Sequence, residues 1–331
     1  MSTNSQHNLN LETSLNAKIE RHFDWLDTDP DVLQQLLDDK RSANTRLAYH
    51  KDVTDFFRVM TGGEPTTDAV LEFLHLERKQ AVAVVLKYKA KLIQKGLKET
   101  TVNRRLAALK SLVAMGRQLG VCDYSLEEVK GEKVQNYRDT TGIEASTYKK
   151  LLNICDRNTL KGKRDYALLR LLWDNALRRS EVVGCDICDL EIDRGKLAIK
   201  GKGKGSNKEL ISLVPPTIEA LQDYLQARGV TTPKAPLFIA LDNARKGHRL
   251  SATSLYRMVD AYSKKAGLTK KFSPHRVRHS AITEALNKTN GNVRAVQRLS
   301  RHSNIATVQK YDDNRLDLQG DLSQLLAQSV E

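Results

Sequence analysis

The 331-residue chain contains 54 Lys and Arg against 40 Asp and Glu, and its formal net charge of +14 favours a polyanionic partner over a neutral metabolite. Its length suffices for two domains that each bury a core. Aromatic residues make up 5% of the chain, which disfavours single-strand binding on stacked aromatic platforms and favours Lys and Arg contacts to a duplex backbone.

The chain carries no sequence signal of secretion or membrane insertion. No segment approaches the roughly 20 apolar residues that a membrane-spanning helix requires. The first ten residues, MSTNSQHNLN, are polar and lack the apolar centre of a signal peptide. The 4 cysteines are too few and too scattered for the disulfide framework of a secreted domain. We therefore expect a cytoplasmic protein without a membrane partner, associated with the nucleoid if it is bacterial.

Apolar periodicity predicts a helical N-terminal domain over residues 30–122, preceded by a flexible tail at 1–29. The clearest predicted helices are Ala81–Gln94 and Thr101–Leu119. The polar face of the second helix carries three basic residues, which either solvate the surface or contact phosphates: Arg104, Arg105 and Lys110. In so basic a chain we include them as candidate DNA-binding residues.

A second domain is predicted at 142–331, after a charged linker without periodicity at 123–141. Most of it has helical periodicity. The exception is an alternating pattern at Lys196–Lys200 and Glu209–Val214 around GKGKGSN, which predicts a β-hairpin. The predicted fold is therefore mainly α, with an N-terminal helical bundle and an α+β domain that contains one small antiparallel sheet.

Three places in the second domain carry side chains suited to phosphate chemistry. Arg178 follows an apolar helix, His275 and Arg278 lie on one helical face, and His302 precedes Tyr311. Arg donates in a planar fork that matches phosphate oxygens, and His can transfer a proton near neutral pH. Each of these residues alone is also compatible with an ordinary surface or packing role.

Zinc binding is the alternative interpretation for two segments. Cys185 and Cys188 form a CxxC pair, and His275 and His279 are spaced i and i+4. The CxxC has no second Cys or His pair at zinc spacing, and the His pair lacks the Glu that a metalloprotease helix carries after its first His. We therefore predict neither a metal nor another cofactor.

Taken together, these segments resemble the tyrosine recombinase or phage integrase family over about residues 30–315. The matching segments are ALRRSEV at 176–182, KGKG at 200–203, SPHRVRHSAIT at 273–283 and LSRHSNIATVQKY at 299–311. The order Arg, Lys, His-x-x-Arg, His, Tyr is the order of that family, as is the step from His302 to Tyr311. The resemblance implies a SAM-like core-binding domain and a catalytic domain that close around double-stranded DNA at a specific recombination site.

The resemblance also implies a role for each catalytic residue, in a transesterification that needs neither metal nor ATP. Tyr311 attacks the scissile phosphate and forms a 3′-phosphotyrosyl enzyme, while Arg178 and Arg278 stabilise the charge on the phosphate oxygens. His302 donates a further hydrogen bond to the phosphate. His275 takes the tyrosine proton, because a phenol is a poor nucleophile at neutral pH unless a base assists it.

The resemblance also implies that a hairpin lysine protonates the leaving 5′ oxygen, and two lysines are candidates for this role. Counting forward from Arg178 selects Lys202, which we favour, and counting back from residues 207–209 selects Lys204. The glycines of this segment do not form a nucleotide-binding loop, because the GxxxxGK[ST] pattern is absent.

Three further positions near the motifs need a structural explanation. Glu181 matches an acidic position that supports the active site in the family, and it is also suited to a simple ion pair with a neighbouring base. Ala176 and Arg301 stand where the family usually has Gly. The Arg301 side chain is expected either to add a phosphate contact or to reshape the turn before the second histidine.

The resemblance extends to assembly. The segment after Tyr311 predicts an amphipathic helix that either packs on its own domain or docks on a neighbouring protomer, with an apolar stripe of Leu318, Leu322, Leu325 and Leu326. We favour docking in trans in a homo-tetramer on synapsed DNA, a dimer per site, with exchange through a Holliday junction and a possible accessory directionality protein.

The alternatives to a site-specific recombinase are a type IB topoisomerase and a non-catalytic DNA-binding protein on an integrase scaffold.

Overall fold

The computed structural model describes residues 30–134, 142–201, 207–229, 232–269, 272–309, 311 and 318–330. The chain divides into two compact units between residues 137 and 138. In agreement with the sequence-based prediction, the described residues are mainly helical, with one small antiparallel sheet in the second unit.

The first unit is a helical bundle. Its helices are α1 (Val32–Asp38), α2 (Ala43–Thr61), α3 (Thr67–Leu74), α4 (Arg78–Gln94) and α5 (Glu99–Gln118). Helix α4 begins three residues before the predicted start at Ala81, because a capping box at Glu77 and Gln80 initiates it ahead of its first apolar residue.

Aromatic residues from three helices form the centre of this bundle. Phe56 of α2 contacts Phe57, Phe73 of α3 and Tyr88 of α4 edge to face, with ring centroids 5.0 to 5.1 Å apart. Edge-to-face pairs are favoured by the ring quadrupole beyond the area that they bury. The bundle is thus fixed by aromatic contacts among three consecutive helices.

The predicted linker at 123–141 begins later than expected. Tyr124, Leu126 and Val129 are buried in the core of the first unit, and the Tyr124 hydroxyl donates to the Phe73 carbonyl at 2.9 Å. These apolar residues follow neither helical nor strand periodicity, so the sequence pattern did not distinguish them from a linker. Residues 135–141 lie outside the described part of the chain.

The three basic residues of α5 differ in their surroundings. Arg105 is 14% exposed and pairs with Asp55, and Arg104 is 45% exposed and pairs with the buried Asp52. Lys110 is partly exposed. The ion pair of Arg105 favours a structural role over the predicted phosphate contact, because its guanidinium is already neutralised inside the bundle. Arg104 and Lys110 remain candidate DNA contacts.

The second unit packs its helices around one apolar core and a small sheet. The helices are α6 (Ala145–Asn153), α7 (Leu160–Asp174), α8 (Arg179–Val183), α9 (Pro215–Arg228), α10 (Ala252–Lys265), α11 (Pro274–Lys288), α12 (Val293–Ser300), α13 (Ala306–Gln309) and α14 (Leu318–Gln328). The apolar helix α7 contributes Leu168, Leu169, Leu171 and Leu172 to the core, and all four are fully buried. Stacking of Tyr148 on Trp173, with ring centroids 4.3 Å apart, joins α6 to it.

The sheet consists of three antiparallel strands in the order β1 (Leu190–Glu191), β2 (Lys196–Lys200) and β3 (Lys208–Ser212). The register Lys200 to Lys208 closes the predicted hairpin. Strand β1 was not predicted, because two residues are too short for an alternating pattern to be seen.

Helix α14 presents its apolar side chains to the surroundings. Leu322, Leu325 and Leu326 are 60%, 61% and 70% exposed. They therefore do not pack on the described part of their own domain. Among the described residues, no helix combines the length and apolarity needed to cross a membrane.

Candidate active site

The turn between α7 and α8 positions Arg178. Ala176 adopts a left-handed backbone with φ of 46°, and Arg178 caps the start of α8. The carboxylate of Glu181, one turn into α8, accepts from the Arg178 guanidinium at 2.7 Å and from its backbone N–H at 2.8 Å. This pair holds the Arg178 side chain over its own helix end.

Helix α11 carries the predicted His-x-x-Arg pair. Ser273 caps the helix and Pro274 occupies its first turn, a favourable combination for initiation. His275 and Arg278 lie one turn apart, and both line a cavity of about 440 Å³. The other lining residues are Arg178, Arg179, Ser180, Tyr256, Ser273 and Pro274. Arg178 and Arg278 are 100 positions apart in the sequence, and they meet with His275 at one cavity.

Arg278 is almost fully buried and joins three segments. One terminal nitrogen donates to the Ala176 carbonyl, and the other donates to the Ser300 carbonyl and lies 3.2 Å from His302 Nε2. Burial, and then the charges of Arg178 and Arg301, lower the pKa of Arg278 to about 10. The guanidinium therefore remains a cation at neutral pH.

His302 is oriented by groups on both sides of its ring. Its Nδ1 lies 2.9 Å from Ser300 Oγ, and Gln297 donates to its carbonyl at 3.0 Å. Because Arg278 has no lone pair to accept with, its N–H can bond only an unprotonated Nε2, which assigns the proton to Nδ1. Burial, and then the charges of Arg278, Arg178 and Arg301, lower the pKa of His302 to about 4.

We predict that the His302 imidazole of the DNA-free protein is neutral down to about pH 5 and titrates near 4. A bound phosphodiester should raise this pKa, because its negative charge offsets the surrounding arginines. Since the unfolded chain binds this proton at higher pH than the folded one, the free energy of unfolding should also fall as the pH drops from about 6.5 toward 4. An NMR titration of the ring with and without duplex DNA checks both shifts. A titration near 6.5 in the DNA-free protein would contradict this account of the site.

Tyr311 packs against the same histidine. Its ring centroid lies 5.5 Å from that of His302 and 4.6 Å from that of His279, and Thr283 donates to its carbonyl at 3.2 Å. Its side chain is buried and is not part of the cavity lining. The structure thus places the predicted nucleophile beside His302, with its ring inside the protein.

Sequence reasoning missed the supporting roles of His279 and Thr283. Both lie on the α11 face that begins at His275, at steps of four residues, so the helical spacing was the available signal. His279 had been considered only as a zinc ligand. Among the described residues, no group of three or more His, Cys, Asp or Glu is arranged to hold a metal ion.

Ala176 and Arg301, which stand where the family usually has Gly, both have left-handed backbones. Arg301, with φ of 58°, ends α12, as Ala176 ends the turn before Arg178. Arg301 does not point into the cavity. Its guanidinium turns inward and donates to Glu181 at 3.1 Å, so the Glu181 carboxylate binds two arginines. Burial opposes ionisation of Glu181, but the Arg178 backbone N–H and the Arg301 and Arg178 cations outweigh it and lower its pKa.

The two candidate lysines, Lys202 and Lys204, lie outside the described residues. The described lysines at the ends of the hairpin strands have other surroundings. Lys208 pairs with Asp189, and Lys196 donates to Ser212 at 2.8 Å. The assignment of the hairpin lysine therefore stays a prediction.

Both units of the chain match known protein families. The model of the phage integrase family matches residues 142–316. The chain belongs to the phage integrase family. The phage integrase N-terminal SAM-like domain matches residues 33–118, so the first unit of this recombinase is the SAM-like domain that the sequence resemblance implied.

Relatives of this chain carry the name tyrosine recombinase. The recombinase is 50% identical to a tyrosine recombinase of Synechococcus elongatus over 304 residues, which cover 92% of this chain and 93% of the relative. It is 49% identical to a tyrosine recombinase of Synechocystis sp. over 296 residues, covering 89% and 94% of the two chains. The XerC tyrosine recombinase of Pelobacter propionicus is 30% identical over 278 residues, covering 83% and 86%.

Solved structures share the fold at low sequence identity. XerH recombinase bound to palindromic difH substrate, in a post-cleavage complex, matches 89% of this chain and 95% of that chain with a TM-score of 0.62 at 18% identity. The Tn1549 transposon integrase in complex with transposon right end DNA matches 90% and 100% with a TM-score of 0.60 at 19% identity. A lambda integrase dimer bound to a core site matches 92% and 81%, with a TM-score of 0.60 at 15% identity. Family and fold together support a DNA recombinase that acts in site-specific recombination.

Proposed function

We propose that this recombinase cleaves double-stranded DNA at a specific site through Tyr311 and exchanges strands between two duplexes. The observation that carries the proposal is the convergence of Arg178 and Arg278 at the cavity, with His302 beside Arg278 and the Tyr311 ring against His302. Two fixed guanidinium groups in a partly enclosed space are suited to a phosphate whose charge increases in the transition state.

The proposed reaction conserves the energy of the broken bond. The Tyr311 hydroxyl oxygen forms a bond to the phosphorus, the bond from phosphorus to the 5′ oxygen breaks, and a 3′-phosphotyrosyl enzyme results. Once the Tyr311 hydroxyl reaches the cavity, its proton passes to His275, and Lys202, or Lys204 in the alternative assignment, gives a proton to the 5′ oxygen. A 5′-hydroxyl of the partner duplex then reverses these steps through a Holliday junction, without metal or ATP.

In this scheme His302 donates a hydrogen bond to the phosphate only after the bound phosphate has added negative charge beside the ring. In the DNA-free protein its Nε2 accepts from Arg278, and burial together with the surrounding arginines holds the ring neutral. A phosphate that binds Arg278 competes for this N–H and adds negative charge. Protonation of Nε2 then becomes favourable, and the ring can donate to a non-bridging oxygen.

Exposure of the α14 leucines supports an assembly in which this helix docks on a neighbouring protomer. An exposed apolar stripe costs free energy in water until a partner covers it. We propose a dimer on each site and a tetramer on the synapsed pair. An accessory protein that sets direction is compatible with this assembly.

Substitution of Leu322, Leu325 and Leu326 by Asp should reduce tetramer formation at least tenfold while leaving one protomer able to bind DNA. The charged side chains cannot be buried in the neighbouring protomer without a large desolvation cost. Analytical ultracentrifugation of the complexes with a duplex site measures the change, with Gln324→Asp on the same helix as the control. Unchanged tetramers in the triple variant would contradict docking through α14.

One experiment separates recombination from the two alternatives. Covalent adducts trapped on DNA flanking the gene of this protein would map the cleavage site. Two copies of the mapped site would then be placed on one supercoiled plasmid, with a one-copy plasmid and a plasmid without the site as controls. The proposal predicts rearranged products from the two-copy plasmid alone. Relaxation of all three plasmids without rearrangement would indicate a topoisomerase, and binding without any adduct would indicate a non-catalytic protein.

A further inference from the structure

Arg301 is a buried arginine in a backbone conformation that favours glycine. Its side chain is 6% exposed, and its φ of 58° lies in the left-handed region. A non-glycine residue in this conformation is strained relative to glycine. Burial of a cation adds a further cost unless it is paired and hydrogen-bonded. If the backbone conformation were the only requirement of this turn, glycine would stabilise it better than arginine.

The contacts of the Arg301 guanidinium show what offsets these costs. One terminal nitrogen donates to the carbonyls of Leu299 at 2.6 Å and Asn175 at 3.1 Å. The other donates to the Ala176 carbonyl at 3.3 Å and the Glu181 carboxylate at 3.1 Å. One side chain thus joins the end of α12 to the turn before α8 and to α8 itself.

Arg301 shares an acceptor with each of the two proposed phosphate-binding arginines. The Glu181 carboxylate accepts from Arg178 and Arg301, and the Ala176 carbonyl accepts from Arg278 and Arg301. Movement of Arg301 would therefore disturb both guanidinium groups. His302 is the next residue in the chain, so its backbone would also lose the contacts that fix the residue before it.

We propose that Arg301 is a positioning residue that holds Arg178, Arg278 and His302 in their cleavage geometry before DNA binds, a role that rests on the proposed function. It is not itself a phosphate ligand, because the cavity is lined by Arg178 and Arg278 and not by Arg301. Its fork shape is essential to the role. A single ammonium group could pair with Glu181 but could not also span the three carbonyls.

Substitution of Arg301 by Gly tests this role. Glycine relieves the backbone strain at this turn, but the buried acceptors at Leu299, Asn175 and Glu181 lose a donor, so the unfolding midpoint is measured together with the rate. The expected result is a fall of about 10- to 100-fold in the single-turnover rate of covalent adduct formation, as for small misplacements of catalytic groups. The dissociation constant for duplex DNA should change less than about threefold, because Arg301 does not reach the cavity. Arg301→Lys should recover little of the lost rate.

Two further measurements distinguish positioning from a general loss of structure. The NMR titration of His302 should move to higher pH in Arg301→Gly, because a cation that lowers its pKa is removed. The unfolding midpoint shows whether the variant is folded. Arg298→Ala, an exposed arginine on the same helix, serves as the control for loss of one positive charge.

The outcomes separate this role from the proposed function. An adduct formed by Arg301→Gly at the wild-type rate would overturn the positioning role alone. Full recovery by Arg301→Lys would also overturn it, because charge without the fork would then suffice. Equal losses of DNA affinity and cleavage rate would assign Arg301 to binding. If the wild-type protein formed no adduct, the proposed function would fail, and the positioning role with it.

Discussion

Substitution of Tyr311 by Phe should abolish covalent adduct formation while leaving affinity for the DNA site nearly unchanged. The substitution removes only the hydroxyl oxygen, and the packing of the ring on His279 and His302 does not require that atom. A suicide duplex nicked near the cleavage position, whose cut strand diffuses away, would accumulate the wild-type adduct on a denaturing gel. No band should appear with Tyr311→Phe.

The matched control is Tyr256→Phe, because Tyr256 lines the cavity and Tyr311 does not. If the adduct were lost in Tyr256→Phe and kept in Tyr311→Phe, the nucleophile would be Tyr256. If both variants formed adducts, the attacking group would be another side chain. The expected pattern is an adduct with Tyr256→Phe and none with Tyr311→Phe.

Substitution of Arg278 by Ala should slow cleavage about 10²- to 10³-fold, equivalent to roughly 3–4 kcal/mol of transition-state stabilisation. It should also destabilise the fold, because the Ala176 and Ser300 carbonyls lose a buried donor, at about 1–3 kcal/mol for each unsatisfied group. Single-turnover cleavage and urea unfolding measure the two effects. Arg278→Lys should retain the charge but not both carbonyl contacts, so it should fall between wild type and Ala in stability.

Lys288→Ala, an exposed residue at the far end of α11, is the control for loss of positive charge. It should leave the cleavage rate and the unfolding free energy close to wild type. An Arg278→Ala variant that cleaves at the wild-type rate would remove Arg278 from the proposed site. A variant that loses stability but keeps its cleavage rate would limit Arg278 to a structural role.

Some of the predicted features rest on local patterns. The alternation at 196–200 gave the hairpin, and the spacing of His275 and Arg278 on one helical face put both at the cavity. These features depend on residues that are near neighbours in the chain. The rest of the fold therefore has little influence on whether these features form.

The features that sequence reasoning missed depend on distant residues. Arg301 and Glu181 are 120 positions apart, and only the folded chain shows that the Arg301 side chain points inward. The sequence pattern allows Arg105 either a surface or a phosphate-binding role and does not reveal its ion pair, because its partner, Asp55, lies 50 positions away. Charge on a helical face indicates that a residue is polar, but it does not identify the residue that neutralises it.

The central claim is that Tyr311 becomes covalently joined to DNA, and mass spectrometry of the trapped adduct tests it most directly. After nuclease and trypsin digestion, the peptide of residues 311–315, which follows Lys310 and ends at Arg315, should carry the mass of a 3′-nucleotide on its tyrosine. That peptide should be unmodified in protein incubated without DNA. A nucleotide on any other peptide, or no modified peptide from a cleaving wild-type protein, would contradict the account.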